Sequence, residues 1–261
     1  MPSIAQSQRM KHLGLKIAVL NFSGNVGKTT LARHLLRPRL PQAAFISIET
    51  INADGQEELL VKGSDYARVQ EEVLVKDAVI VDVGGSNTEQ FFSGMRHYPG
   101  SHEDYDLFIT PCVEGLKQQQ DTLRCVKALA ALGVPANKIC VVFNLVARKR
   151  NWATVFDPLL NFVRDEGLCR AEIMASVQKS DVLSRLHGQP DTVASILNDS
   201  RDYKTELMRS HTAETTLELA EKFALQIMAK DTQENLDAVF QALVKKSGLP
   251  RNSNYGIPPN L

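Results

Sequence analysis

From Leu15 to Val177, short apolar runs alternate with segments of helical period, and polar or glycine-rich turns divide them. The runs Leu15–Leu20, Ala43–Ile48, Asp77–Asp82, Asp106–Thr110, Lys138–Asn144 and Glu172–Val177 are short and rich in β-branched and aromatic residues, and read as buried strands. Helices are expected from the turn after Leu20 to about Leu36, where Pro38 and Pro41 end it, and over Gln56–Lys62 and Leu116–Leu132. Another is expected over Ala153–Glu166, provided Pro158 falls in an early turn or kinks it. Pro111 should close the Asp106 strand, because a proline cannot donate to a ladder. Glu214–Lys246 is mostly helical, with one apolar stripe at Leu217, Ala220, Ala224 and Ile227 and a second at Leu236, Phe240 and Leu243. Strands separated by helices of this length predict an α/β fold, a mostly parallel twisted sheet with helices on both faces. Residues 1–12 read as a mobile leader, 13–246 as a single domain and 247–261 as a flexible tail rich in Pro, Gly and Asn.

The first turn carries the strongest chemical signal. Asn21-Phe22-Ser23-Gly24-Asn25-Val26-Gly27-Lys28-Thr29-Thr30 follows an apolar strand and leads into a helix. Such a turn points several backbone N–H groups, and the positive end of the helix dipole, into one concavity suited to phosphate. The main chain of Ser23, Gly24, Asn25, Val26, Gly27 and Thr30 would form the cradle. Lys28 would reach the outer phosphates of a nucleotide, and the Thr29 hydroxyl would coordinate Mg²⁺. The full phosphate-loop pattern asks for another glycine six places before the lysine, and Phe22 stands there.

Asp82 ends an apolar strand, the place where phosphate-loop proteins hold the Mg²⁺ shell. Gly85, three residues on, could offer its N–H to a γ-phosphate. The competing reading is an aspartate capping a Gly-Gly turn. Glu49 and Asp54 lie in the polar loop after the second strand, at the sheet edge where ligands of open α/β sheets bind. Asn144 closes a later strand and is either a turn asparagine or an amide able to donate to and accept from a base.

The register Ser23-Gly24-Asn25-Val26-Gly27-Lys28-Thr29 resembles the variant loop of the ParA/MinD family of P-loop ATPases, whose pattern runs lysine-glycine-glycine-valine-glycine-lysine-threonine. That resemblance implies ATP and Mg²⁺ as cofactors and Lys28 as a catalytic residue. It places Asn144 at the adenine edge and Val177 in a base-side loop, Ala175 to Leu183, that lacks the family's usual proline. Two departures stand out. Ser23 replaces the family's signature lysine, which crosses a dimer interface, and Ile51 replaces the second acid of an Asp-x-Asp strand end. Asp54 could take over from Ile51 if its loop bends back, and Glu49 holds the first acid position. Slow or partner-dependent hydrolysis is the expected consequence. Within the family the loop string, with Glu49-Thr50-Ile51-Asn52, looks most like StbB-type plasmid stability proteins. This narrower likeness implies a bacterial cytoplasmic switch in plasmid partition or conjugative transfer. It also implies a plasmid-encoded DNA-binding adaptor as partner and a nucleotide-dependent homodimer. Dethiobiotin-synthetase-like enzymes, which share the glycine-valine-glycine-lysine-threonine core and act on small molecules, remain an alternative.

Bulk composition adds exclusions. Of 261 residues, 30 are Lys or Arg and 30 Asp or Glu, so net charge favours neither nucleic acid nor anionic membrane. Any direct DNA contact would need a local patch. Arg148-Lys149-Arg150-Asn151-Trp152 is the densest candidate, with Arg33, Arg37 and Arg39 as additions, although a solvated loop is the simpler account. Cys112, Cys125, Cys140 and Cys169 have no metal-ligand spacing and read as reduced, mostly buried thiols. The six histidines show no ligand or triad spacing. No stretch approaches the ~20 apolar residues of a membrane span.

Overall fold

The computed structural model describes residues 14–49, 58–148 and 151–246. The expected leader and tail, together with Ile51, Asp54, Lys149 and Arg150, lie outside the described residues. Among the described residues seven strands form one sheet: β1 (Lys16–Val19), β2 (Ala44–Ile48), β3 (Glu58–Val61), β4 (Val79–Val83), β5 (Leu107–Cys112), β6 (Ile139–Val146) and β7 (Arg170–Gln178). Their order is β3-β2-β4-β1-β5-β6-β7, and every pairing is parallel. The fold class is therefore the one the periodicity predicts.

A parallel crossover is right-handed, so connections moving toward opposite edges of the sheet must pass over opposite faces. The helices α2 (Tyr66–Val75), α3 (Thr88–His97), α4 (Leu116–Ala131), α5 (Trp152–Val155) and α6 (Asp157–Glu166) all connect strands moving toward the β7 edge. Phe91, Phe92, Cys125, Leu129 and Leu159 from this group share a core with Ala18, Val81, Phe108 and Phe143. The helix after β1 moves the other way, to β2. It opens as Lys28–Thr30, continues as a π-helix over Leu31–Leu36 and tightens into a 3-10 turn over Arg37–Arg39; together these are α1. Most of its face is therefore left for the chain's end to cover. α7 (Asp181–Arg185), α8 (Val193–Asn198), α9 (Tyr203–Met208) and α10 (Ala213–Lys246) supply that cover. Leu31, Leu35, Val182, Val193, Leu236 and Phe240 pack there on Ile17, Val19, Ile80 and Val142. Alternate strand residues thus serve two apolar layers, as the pleat requires.

Four expectations are corrected. Gln56–Lys62 does not form a helix within its described part: Glu58–Val61 pairs with Phe45–Ile48 as edge strand β3. Edge pairing overrides the helical propensity of Glu and Leu. Pro111 lies inside β5, opposite Val142 on β6. The β1 ladder stops before that point: Leu20 makes its last bond, to the Ile109 carbonyl at 3.0 Å, before the chain turns away. Pro111, two residues on, faces the side where β1 turns away: its carbonyl accepts Asn21 Nδ2 at 2.8 Å, and the Leu20 carbonyl that an N–H at this position would have met is left to the Cys125 thiol at 3.9 Å. On α10, Leu217 and Ile227 face outward while Leu219, Ala229, Leu236, Val239, Phe240 and Leu243 are buried, so only the second stripe is a core face. Arg39 does not join a basic surface. It is 1% exposed, with Nε and Nη2 donating to the Asp237 carboxylate at 2.9 and 2.6 Å and Nη1 to the His34 and Leu35 carbonyls. Pro158, by contrast, sits in the first turn of α6, as expected.

Candidate phosphate-binding site

The loop between β1 and α1 emerges at the carboxyl end of the central strand, flanked by β4 and β5. Gly27 holds φ +84°, and a Cβ there would run into the Asn144 amide, so only glycine fits. Asn25 is also left-handed, at φ 55°, a conformation asparagine tolerates better than most residues. The side chain of Asn21 ties the loop to its surroundings. Its Nδ2 donates to the Pro111 carbonyl at 2.8 Å and to Thr122 Oγ1 at 2.9 Å, and its Oδ1 accepts the Ser23 N–H at 2.9 Å.

Lys28 is 7% exposed and donates from Nζ to the Ser23 carbonyl at 2.7 Å. An ammonium carries three donors, so two remain for a ligand. Burial pulls its pKa below the usual lysine value, against the opposing pull of the Asp82 and Glu49 carboxylates. Both acids therefore stand close enough to act on the loop's lysine.

Asp82 pairs in register with Val19 of β1, and the pleat turns it toward the α1 face, opposite to Val81 and Val83. It is 2% exposed, and one carboxylate oxygen, Oδ1, has no hydrogen-bond partner. Burial pushes its pKa up to about 6, although the Thr29 hydroxyl bond and the Lys28 charge pull it down. An unpartnered buried carboxylate oxygen beside a threonine hydroxyl is the donor set a hard divalent cation takes. The residues present therefore fit Mg²⁺, which Thr29 and Asp82 would hold.

Gly85 packs against the same loop: a Cβ there would lie 3.3 Å from the Gly24 nitrogen and 3.3 Å from Lys28 Nζ. Gly84 donates its N–H to the Ile48 carbonyl at 2.8 Å, and Thr88 Oγ1 donates to the Asn21 carbonyl at 3.0 Å. These bonds lock the segment after β4 to the ends of β1 and β2. Glu49 reaches this corner too, since a Cβ on Gly84 would touch its Cγ at 3.6 Å.

The structure thus brings together Ser23, Gly24, Lys28, Thr29, Glu49, Asp82 and Gly85. It places the base-side candidates differently from one another. Asn144 is 1% exposed and spends its Nδ2 on the Val26 carbonyl at 2.9 Å, while its Oδ1 is buried without a partner. It therefore braces the loop from the far side. Val177 is fully buried among the apolar residues under α10, so only its main chain can meet a ligand. Beside it a cavity of about 340 Å³ opens at the carboxyl ends of β6 and β7, lined by Gln178, Lys179, Ser180, Asp231, Thr232 and Asn235 among others. Arg148 is ion-paired with Asp231 of α10, which neutralises the described part of the basic cluster. Among the described residues no group of His, Cys, Asp and Glu forms a metal cluster, and all four cysteines are buried. Burial pushes the Cys112, Cys125 and Cys169 thiols up to about 12. Sequence reasoning passed over Asn21, Thr88, Asp121 and Thr122. Asn21 opens the loop string, but its anchoring bonds had no mark in the sequence, and Thr88, Asp121 and Thr122 are polar residues on ordinary helices that only the fold brings to the loop.

The sequence matches no family model and no curated protein. Its fold is similar to that of McdA from Cyanothece. An ATP complex of a point variant of McdA aligns with TM-score 0.51 and 11% identity, over 92% of this chain and 98% of that one. Apo McdA aligns with TM-score 0.51 and 13% identity, over 88% and 99%. MinD from Aquifex aeolicus aligns with TM-score 0.47 and 16% identity, over 85% and 96%.

Proposed function

We propose that the chain is a Mg²⁺-ATP-binding switch of ParA/MinD type that changes its partner contacts with nucleotide state. One observation carries the reading. A buried lysine, its donors only partly used, stands within charge interaction of a buried carboxylate that keeps one oxygen without a partner. A protein does not leave such groups underused in its interior without a compensating ligand. The ATP complex of McdA, a protein of similar fold, adds support.

In this reading the loop amides of Ser23 to Thr30 and Lys28 hold the outer phosphates, and Thr29 and Asp82 hold the cation, which supplies charge neutralisation when bound. Gly85 N–H meets the γ-phosphate, and Glu49 and Asp54 are the acids available to orient water. The cavity beside Val177 takes the base and ribose, between the segment after β7 and α10. Ser23 brings no cation to the site from a second copy, and replacement of such a charge costs on the order of 10³–10⁵ in rate. Hydrolysis is accordingly slow in the isolated protein and rises with a partner.

The finer assignment rests on the loop string. The protein acts in plasmid stability, partition or conjugative transfer in the bacterial cytoplasm, as a nucleotide-dependent homodimer working with a DNA-binding adaptor. Direct DNA contact is the weaker route, because Arg148 is already paired and Arg39 is buried. The test measures ATP turnover alone, with the adaptor, and with small-molecule acceptors. Slow turnover stimulated by the adaptor supports the switch. Turnover near one per second by the isolated protein, or only with a small acceptor, overturns it, the latter in favour of an enzyme resembling dethiobiotin synthetase.

A further inference from the structure

We propose that Asp121 is a positioning residue for nucleotide binding: through the Ser23 hydroxyl it fixes the carbonyl that holds Lys28 in place. The inference rests on the nucleotide-binding reading and adds a residue that no loop motif contains. Ser23 is 7% exposed and is held at three of its atoms. Its N–H donates to Asn21 Oδ1 at 2.9 Å, its Oγ donates to Asp121 Oδ2 at 2.5 Å, and its carbonyl accepts Lys28 Nζ at 2.7 Å. Asp121 lies on α4, which also supplies Thr122 Oγ1 as acceptor for Asn21 and Arg124, whose guanidinium carbon sits 4.2 Å from the centre of the Phe22 ring. Phe22 in turn stacks on Phe92 of α3, with ring centroids 5.3 Å apart. Three neighbouring positions of one helix thus grip Asn21, Phe22 and Ser23.

The consequence follows from the stiffness of lysine's surroundings. A lysine side chain has four rotatable bonds, and ordering it on binding costs affinity unless it is ordered beforehand. The Ser23 carbonyl does that ordering, but only while Ser23 itself is fixed. A hydrogen bond to a carboxylate is about twice as strong as one between neutral groups, so the Asp121 contact anchors the Ser23 side chain firmly. Asp121 touches no phosphate in this account. It acts through position 23, which here faces its own chain's α4.

The experiment is isothermal titration of Mg²⁺-ATP into the full chain and into Ser23→Ala, Asp121→Ala, the double variant and Asp121→Asn, with melting temperatures of each nucleotide-free protein. Asp121→Ala and Ser23→Ala are each expected to weaken binding about tenfold, and the double variant no more than either alone. Asp121→Asn keeps an acceptor and is expected to stay within about threefold of the parent chain. A merely structural role would lower the melting temperatures and leave the affinities alike, or would make the two alanine effects add. Either outcome overturns the inference, as does tighter binding by both Asp121 variants, which would make the carboxylate a repelling charge. Failure of the parent chain to bind Mg²⁺-ATP would instead overturn the nucleotide-binding reading itself.

Discussion

Replacing Asp82 by asparagine should stabilise the nucleotide-free protein while removing the dependence of nucleotide binding on Mg²⁺. The carboxylate is 2% exposed, and burial raises its pKa from 3.8 to about 6. A carboxyl group whose folded pKa lies above its unfolded value binds more protons in the native state, so it destabilises the fold as pH rises from about 4 through 6. At 1.36 kcal/mol per pKa unit the deficit is about 3 kcal/mol at pH 7, which for a chain of this size is roughly 6–12 °C in melting temperature. Asparagine cannot ionise and retains an oxygen for the Thr29 hydroxyl. The assay is thermal unfolding of both proteins from pH 4 to pH 7.5 without nucleotide. Other titrating groups cancel in the difference, which should be small near pH 4 and widen in the variant's favour toward neutral pH. In calorimetry, the variant should bind ATP no better with Mg²⁺ than without it. A difference that stays flat with pH, or a variant less stable at pH 7, would refute the claim that the carboxylate is held at a cost to stability for the sake of a cation.

Gly27→Ala should abolish nucleotide binding, because φ +84° disfavours any Cβ and the Asn144 amide occupies its place; titration calorimetry showing parent-like affinity would contradict this. Arg39→Ala should cost about 3–5 kcal/mol in chemical denaturation by leaving the Asp237 carboxylate buried and uncompensated. Restoration toward parent stability in Arg39→Met with Asp237→Leu would identify charge burial, rather than lost packing, as the cause.

The strand pattern was legible wherever an apolar run was long enough to be buried on both sides, as at Val79–Val83 and Ile139–Val146. It failed at Glu58–Val61, where three apolar residues become a strand only because β2 offers an open edge. Pro111 misled for a related reason: what excuses a proline in a central strand is the departure of the neighbouring chain after Leu20, a tertiary fact. The π-helical run Leu31–Leu36, which follows the loop directly, has no mark in its sequence. That Gly27, Lys28, Thr29, Asp82 and Gly85 would gather around the β1–α1 loop could be expected in advance, because a phosphate-loop pattern would fix residue type at fixed spacing, and the structure does bring them to that loop. Asn144 shows the limit of that reasoning. Its strand was readable, but β6 runs past it to Val146, and its amide turns back on the Val26 carbonyl. Asp121 and Thr122 were invisible, since about a hundred residues separate them from the loop they hold.

The most direct measurement is the affinity of Lys28→Ala for Mg²⁺-ATP beside that of the parent chain. The parent is expected to bind, and the variant to lose most of that affinity while its fold stays intact by circular dichroism. Equal affinities in a folded variant would place the nucleotide somewhere other than the β1–α1 loop.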